Sequence, residues 1–114
     1  MEVPEAIRED IMNFQQIQQQ LQMLMLQKQN IQIQNLEIEN ALKELEKTDE
    51  KEVFEVVGNI MVKKAKKELT TSLKEKVELF TLRTTTLDKQ LEELNKKAKD
   101  LQKKLSSFME KQEK

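Results

Sequence analysis

The sequence contains no cysteine and no histidine, and glycine and proline occur only once each. Without cysteine the chain forms no disulfide and offers no thiol nucleophile or thiolate metal ligand. Without histidine it lacks the side chain that most often serves as acid, base or metal ligand near neutral pH. We therefore expect no enzymatic activity, no metal and no cofactor.

A single glycine, Gly58, also excludes a glycine-rich phosphate-binding loop. No apolar stretch approaches the roughly 20 residues of a membrane span. The first ten residues contain four acids instead of a basic segment followed by an apolar one, so they do not resemble a signal peptide. The expectation is a soluble, cytoplasmic protein with no membrane partner.

Charged residues make up 36% of the chain and aromatic residues only 4%, a composition typical of long helices. Residues 1–46 carry a net charge of −5 and residues 70–114 a net charge of +3. Opposite charge favours packing of these two segments, although a solvated surface with chance asymmetry would look the same. The total charge of −1 argues against nucleic acid as a ligand, because phosphate binding needs a clustered cationic surface.

Two long runs of apolar residues recur at alternating spacings of three and four, the pattern of a coiled coil. They predict helices over residues 4–47 and 70–112. Any of the three hydroxyls of Thr70, Thr71 and Ser72 can cap the second helix, and Ser72 with Glu75 has the spacing of a capping box. The first run comprises Phe14, Ile17, Leu21, Leu24, Lys28, Ile31, Asn35, Ile38, Leu42 and Leu45. The second comprises Leu73, Val77, Phe80, Thr84, Leu87, Leu91, Leu94, Ala98, Leu101, Leu105 and Phe108.

Between the helices, residues 52–64 predict a β-hairpin around the two-residue turn Gly58-Asn59. An isolated hairpin is marginal in water and its edges accept further strands, so we expect it to join other hairpins in an oligomeric β-barrel. Folding back onto its own helices is the alternative. The residues assigned to assembly are Val53, Phe54, Val56, Val57, Gly58, Ile60, Met61 and Val62.

The predicted fold is mainly α: one unit with a long antiparallel two-helix coiled coil and a central hairpin. Antiparallel pairing places Asn35 near Thr84, and we expect these two polar side chains to hydrogen-bond, because a buried unpaired amide is costly. Lys28 is predicted to reach Asp88 or Glu92.

The same pairing brings the two chain termini together, at the end of the helices farthest from the hairpin. Apolar side chains there have nothing beyond them to pack against, so they predict an interaction site for other proteins. For Ile7 and Phe108, closure of the helix pair is an equally good interpretation. The residues of this terminal group are Met1, Val3, Ile7, Ile11, Leu105, Phe108 and Met109.

A hairpin of the form V-F-x-x-V-G-x-I-x-V-K, followed by E-L-T-x-x-L, resembles the archaeal prefoldin beta subunit family. The matching residues are Val53, Phe54, Val57, Gly58, Ile60, Val62, Lys63, Glu68, Leu69, Thr70 and Leu73. The glutamine-rich segment Phe14–Gln20 and Gln27-Lys28-Gln29 are also similar, so the resemblance covers nearly the whole chain. One departure is Phe54, where many relatives carry tyrosine.

The resemblance implies a hexamer of two alpha and four beta chains, whose hairpins build a β-barrel platform. It implies an ATP-independent chaperone that holds non-native proteins at its coiled-coil tips and passes them to a group II chaperonin. A structural coiled-coil tether or spacer in a multi-subunit assembly is the alternative function, with the same helices but no need for apolar ends.

Overall fold

The computed structural model describes residues 3–113, with side chains up to Lys111. Helix α1 covers Glu5–Lys47, strand β1 Glu52–Val57, strand β2 Ile60–Ala65 and helix α2 Lys66–Glu113. The predicted combination of two long helices with a central antiparallel hairpin is confirmed. Contacts divide the chain into two units, one made of α1 up to Gln29 with α2 from Thr85, the other of Asn30–Thr84. The organisation as a single functional unit stays a prediction.

Helix α1 begins one residue later than predicted, immediately after Pro4. The Pro4 carbonyl accepts hydrogen bonds from the N–H groups of Ile7 at 3.0 Å and Arg8 at 3.1 Å. Proline suits this position because its missing N–H would have no partner within the helix. Glu5 places a negative charge in the first turn, where it favours the positive end of the helix dipole.

The hairpin has the predicted register. Val57 pairs with Ile60 and Val56 with Met61, and the ladder extends to Glu52 opposite Ala65. Gly58 takes a positive φ of 59°, and Asn59 does not. A positive φ at the first turn residue alone is the pattern of a type II′ turn, whose twist matches that of the paired strands.

The predicted start of α2 at residue 70 is wrong, since the helix begins at Lys66. The Lys66 N–H donates to the Lys51 carbonyl at 2.8 Å, so a neighbouring loop caps the helix. Its Nζ also donates to the Thr48 carbonyl at 2.7 Å. The proposed Ser72 cap therefore lies inside the helix, and the Thr70 hydroxyl donates to the Lys66 carbonyl at 2.7 Å.

The two apolar runs are the most protected rows of both helices. Among the described residues, those classed as buried are Leu21, Leu45, Leu69, Leu87 and Ala98, and none of the large side chains is fully enclosed. The remaining members of the two runs are half-buried, whereas most of their neighbours are exposed. We call this row of facing residues the seam. Its thin core gives the helices little to bury besides each other.

Lys28 interrupts the seam and reaches across it as predicted. Its Nζ lies 2.6 Å from Asp88 Oδ1, and both side chains remain partly exposed, at 30% and 50%. Exposed pairs of this kind contribute only about 0–1 kcal/mol, so this one mainly accommodates a charge at a seam position.

The predicted hydrogen bond between Asn35 and Thr84 is wrong. The Thr84 hydroxyl donates to the Phe80 carbonyl of its own helix at 2.8 Å. Asn35 Oδ1 is buried and finds no hydrogen-bond partner among the described residues. Threonine often satisfies itself on the carbonyl four residues earlier, and this local bond removes the donor that the prediction gave to Asn35.

Replacement of Asn35 by leucine is expected to stabilise the protein. An unsatisfied buried acceptor costs about 1–3 kcal/mol, and Asn35→Leu removes it while filling the seam. Chemical unfolding monitored by circular dichroism measures the gain, and Gln34→Leu at the exposed neighbouring position is the matched control. A loss of stability in Asn35→Leu would show that the amide has a partner in the assembled protein.

Candidate functional site

One face of the hairpin is exposed and largely apolar. We call it the outer hairpin face: Phe54 and Val56 on β1, with Met61 on β2. Their exposures are 61%, 68% and 66%. Val56 and Met61 are cross-strand partners, so the three side chains form one continuous patch. The ion pair of Lys63 with Glu52, 2.6 Å between Nζ and Oε2, borders this patch.

The opposite hairpin face is partly covered by the chain itself. Val53, Glu55, Val62 and Lys64 are half-buried there, and Lys64 Nζ lies 3.0 Å from Glu55 Oε2. An open groove beside β1 is lined by residues of both helices, among them Leu45 and Leu69. At the turn, Val57 and Ile60 remain exposed at 49% and 63%.

The two expectations for the hairpin, folding back onto its own helices and assembly with other hairpins, concern different faces. One face is partly covered by the chain itself, and the outer hairpin face leaves apolar area exposed. The sheet among the described residues has two strands, so each strand also has an unpaired edge. Exposed apolar area beside open strand edges is a typical site for pairing with further strands.

An ion pair joins the two helices within the terminal group. Lys104 Nζ lies 3.0 Å from Asp10 Oδ2, and the Asp10 side chain is only 13% exposed. This contact places the start of α1 beside the end of α2.

Around this ion pair, Ile11 and Met109 are the most exposed members of the terminal group. Ile11 is 38% exposed and Met109 61%. Val3, Ile7, Leu105 and Phe108 are half-buried, so they contribute to the seam and to the surface at once. Met1 lies outside the described residues. Six of the seven proposed residues therefore belong to one unit and share one region of it.

Sequence reasoning missed most of a second set of exposed apolar residues, which lie on the helices away from the seam. Six are on α1 and two on α2. For the six on α1 the sequence contained a signal, because the segment of residues 11–36 has one charged residue, Lys28. The residues are Met12, Met23, Met25, Leu26, Ile33, Leu36, Leu79 and Leu82.

Within the part of the chain that the structure describes, neither helix contains a segment apolar enough to cross a membrane. The same residues hold no group of three or more carboxylates arranged to bind a metal ion. The exposed apolar surfaces described above are of the kind that proteins use for contact with other proteins.

The sequence comparison agrees with this architecture. A family model described as "Prefoldin subunit" matches residues 8–112. The chain belongs to the prefoldin family. Prefoldin subunit beta of Archaeoglobus fulgidus is 36% identical over 109 residues, 95% of this chain and 94% of the relative. Prefoldin subunit beta of Pyrococcus furiosus is 35% identical over 108 residues, 94% and 92% of the two chains.

Solved structures agree as well. The crystal structure of the prefoldin beta subunit from Thermococcus strain KS-1 matches with a TM-score of 0.81 and 32% identity, over 94% of this chain and 95% of that one. The resemblance to archaeal prefoldin beta subunits is thereby confirmed. Prefoldins are chaperones and are not known as enzymes, and membership implies assembly with other prefoldin subunits.

Proposed function

We propose that this chain is a subunit of an ATP-independent holdase chaperone that captures non-native proteins with its terminal group. The observation that carries the proposal is the exposure of Ile11 and Met109 beside the Asp10–Lys104 ion pair. The ion pair joins the two helix ends, and Ile11 and Met109 keep exposed apolar surface there for contact with another protein.

Assembly is assigned to the hairpin. The outer hairpin face and the open strand edges would be covered by hairpins of other subunits, in a β-barrel platform of two alpha and four beta chains. Covering each large apolar side chain contributes roughly 1.5–3 kcal/mol, so several of them, with new backbone hydrogen bonds, support a stable complex.

Capture by the terminal group requires contacts that are individually weak. Ile11 and Met109 are already partly covered, so each contributes less than a fully buried side chain. Methionine is flexible and polarizable, which suits clients of different sequence. Repeated contacts from several subunits would raise the overall affinity while each one stays reversible. Reversibility allows transfer of the client to a group II chaperonin in the cytoplasm.

A structural tether remains the second candidate. It would use the same helices and hairpin, and it has a specific observation in its favour: most of the terminal group, from Val3 to Phe108, is half-buried and closes the seam. It does not require exposure of Ile11 and Met109, however, and this difference favours the chaperone.

Truncation tests the proposal. A chain without its first six and last ten residues is assembled with a prefoldin alpha subunit, and light scattering confirms that the complex survives. Suppression of aggregation is then measured with guanidine-denatured citrate synthase diluted into buffer. We expect most of the suppression to be lost, because Val3, Leu105, Phe108 and Met109 are removed. Undiminished suppression by the intact truncated complex would favour the tether.

A further inference from the structure

From Met12 to Gln29, the exposed side of α1 carries no charge. Between Met12 and Gln29 the only charged residue is Lys28, which turns toward the seam to pair with Asp88 at 2.6 Å. The exposed positions are glutamine, asparagine and apolar residues. We call this surface, formed by the exposed residues of Met12–Gln29, the uncharged face.

Helix α2 of the same unit is different. Residues 85–110 hold eleven charged side chains, which is how a long helix usually keeps an unpartnered surface in water. Met109 is its one strongly exposed large apolar residue among those described. The uncharged face instead exposes Met12, Met23, Met25 and Leu26 at 59–64%. Only one of the two helices is therefore suited to contact without desolvation of charge.

We infer that the uncharged face is a second binding surface for non-native polypeptide, one that takes extended, locally uncharged segments. This inference rests on the proposed chaperone function and adds a substrate class to it. The uncharged face begins next to Ile11 of the terminal group, so one bound chain could contact both.

The spacing of the apolar residues argues against a helix as the occupant. A partner helix needs apolar side chains every three or four residues along a stripe. Between Met12 and Met23, about three helical turns, the exposed outward positions are all glutamine: Gln15, Gln16, Gln19 and Gln22. Heptad position f, which faces away from the seam, reads Met12, Gln19, Leu26. A second copy of this chain docked through a helix would therefore find gaps in the stripe.

An extended, unfolded chain fits a surface on which apolar residues alternate with glutamines. Such a chain exposes apolar side chains together with unpaired peptide N–H and C=O groups. The methionines offer adaptable apolar contact, and each glutamine amide offers both a donor and an acceptor for either peptide group. A charged client segment would have to bury its charge against a face with no opposite charge, which is unfavourable.

Two variants in the complex with the alpha subunit test the inference. The first, Met12→Gln with Met23→Gln and Leu26→Gln, removes the apolar contacts. The second, Gln15→Glu with Gln19→Lys and Gln22→Glu, keeps them and introduces charge. Glutamine, glutamate and lysine have similar helix propensities, so α1 should keep its helical content. Leu79→Gln, an exposed apolar position of α2, is the matched control.

The probe is a fluorescent 20-residue peptide of leucine, valine, serine and glutamine, measured by anisotropy beside a version with four of its serines replaced by lysine. We expect the first variant to bind the uncharged peptide roughly tenfold more weakly, because three large apolar contacts are lost. The second variant should also bind it more weakly, and Leu79→Gln should bind it normally. The unmodified complex should prefer the uncharged peptide.

Three results would overturn the inference. If both variants bind normally while Ile11→Ser with Met109→Ser loses binding, the uncharged face is not used and the proposed function stands. If the two variants of the uncharged face and the variant Ile11→Ser with Met109→Ser all bind normally, both this inference and the proposed function are wrong. If either variant changes the oligomeric state in light scattering, another subunit covers this face.

Discussion

A chain with Val56→Glu and Met61→Glu is expected to lose its partner subunits and to remain monomeric. The two residues face each other across the strands and are 68% and 66% exposed, so the carboxylates are tolerated in the separate chain. In an assembled platform they would be buried in apolar surroundings, where each unpaired charge costs several kcal/mol. Two such charges outweigh the apolar contacts that they replace.

Analytical ultracentrifugation of the chain mixed with a prefoldin alpha subunit measures this effect. Circular dichroism should show unchanged helix content, which separates failed assembly from failed folding. Leu79→Glu is the matched control, because this residue is half-exposed, at 50%, and lies on α2 in the same unit. A variant hairpin that still assembles would mean that the outer hairpin face stays in solvent.

The second large effect concerns capture. Ile11→Ser with Met109→Ser is expected to raise the concentration needed for half-maximal suppression of aggregation roughly tenfold, since two apolar contacts per chain are lost. Both residues are exposed and neither belongs to the Asp10–Lys104 ion pair, which the substitutions leave in place. The helix pair should therefore stay closed and the complex should stay assembled.

Leu79→Ser serves as the control for this double variant, because it removes an exposed apolar side chain of α2 outside the terminal group. The same aggregation assay is used for all three proteins. Equal loss in Leu79→Ser would indicate that general surface apolarity, and not the terminal group, holds the client. No loss in either would favour the tether.

The features that follow from periodicity could be predicted from the sequence. The three-four spacing anticipated the buried positions Leu21, Leu87 and Ala98, and the Gly58-Asn59 turn anticipated the register of the strands. Both succeed because a side-chain period and a two-residue turn leave few geometric choices. The reach of Lys28 to Asp88 followed from the same helix pairing.

The features that depend on competition between partners could not be predicted. The Lys51 carbonyl accepts from the N–H of Lys66, the first residue of α2, so the helix begins there and not at the expected Ser72 cap. The carbonyl of Phe80 took the Thr84 hydroxyl that was expected to serve Asn35. In each case a polar group had two possible partners. The choice between them depended on the backbone geometry, which the spacing of residues along the sequence does not specify.

The candidate surfaces could be predicted only in part. Exposure of Phe54, Val56 and Met61 follows from a hairpin with more apolar area than two helices can cover. The exposure of Met23 and Leu26 was not predicted, because the three-four spacing of apolar residues identifies only the seam positions. The absence of charge around them was nevertheless visible in the sequence and would have pointed to this surface.

Site-specific photo-crosslinking tests the central claim most directly. A photoreactive amino acid replaces Met109 in one preparation of the complex and Leu79 in another, and denatured citrate synthase is added before irradiation. The account predicts a covalent adduct from position 109, little from position 79, and none from position 109 with the folded client. Equal adducts from the two positions, or no adduct from position 109, would contradict it.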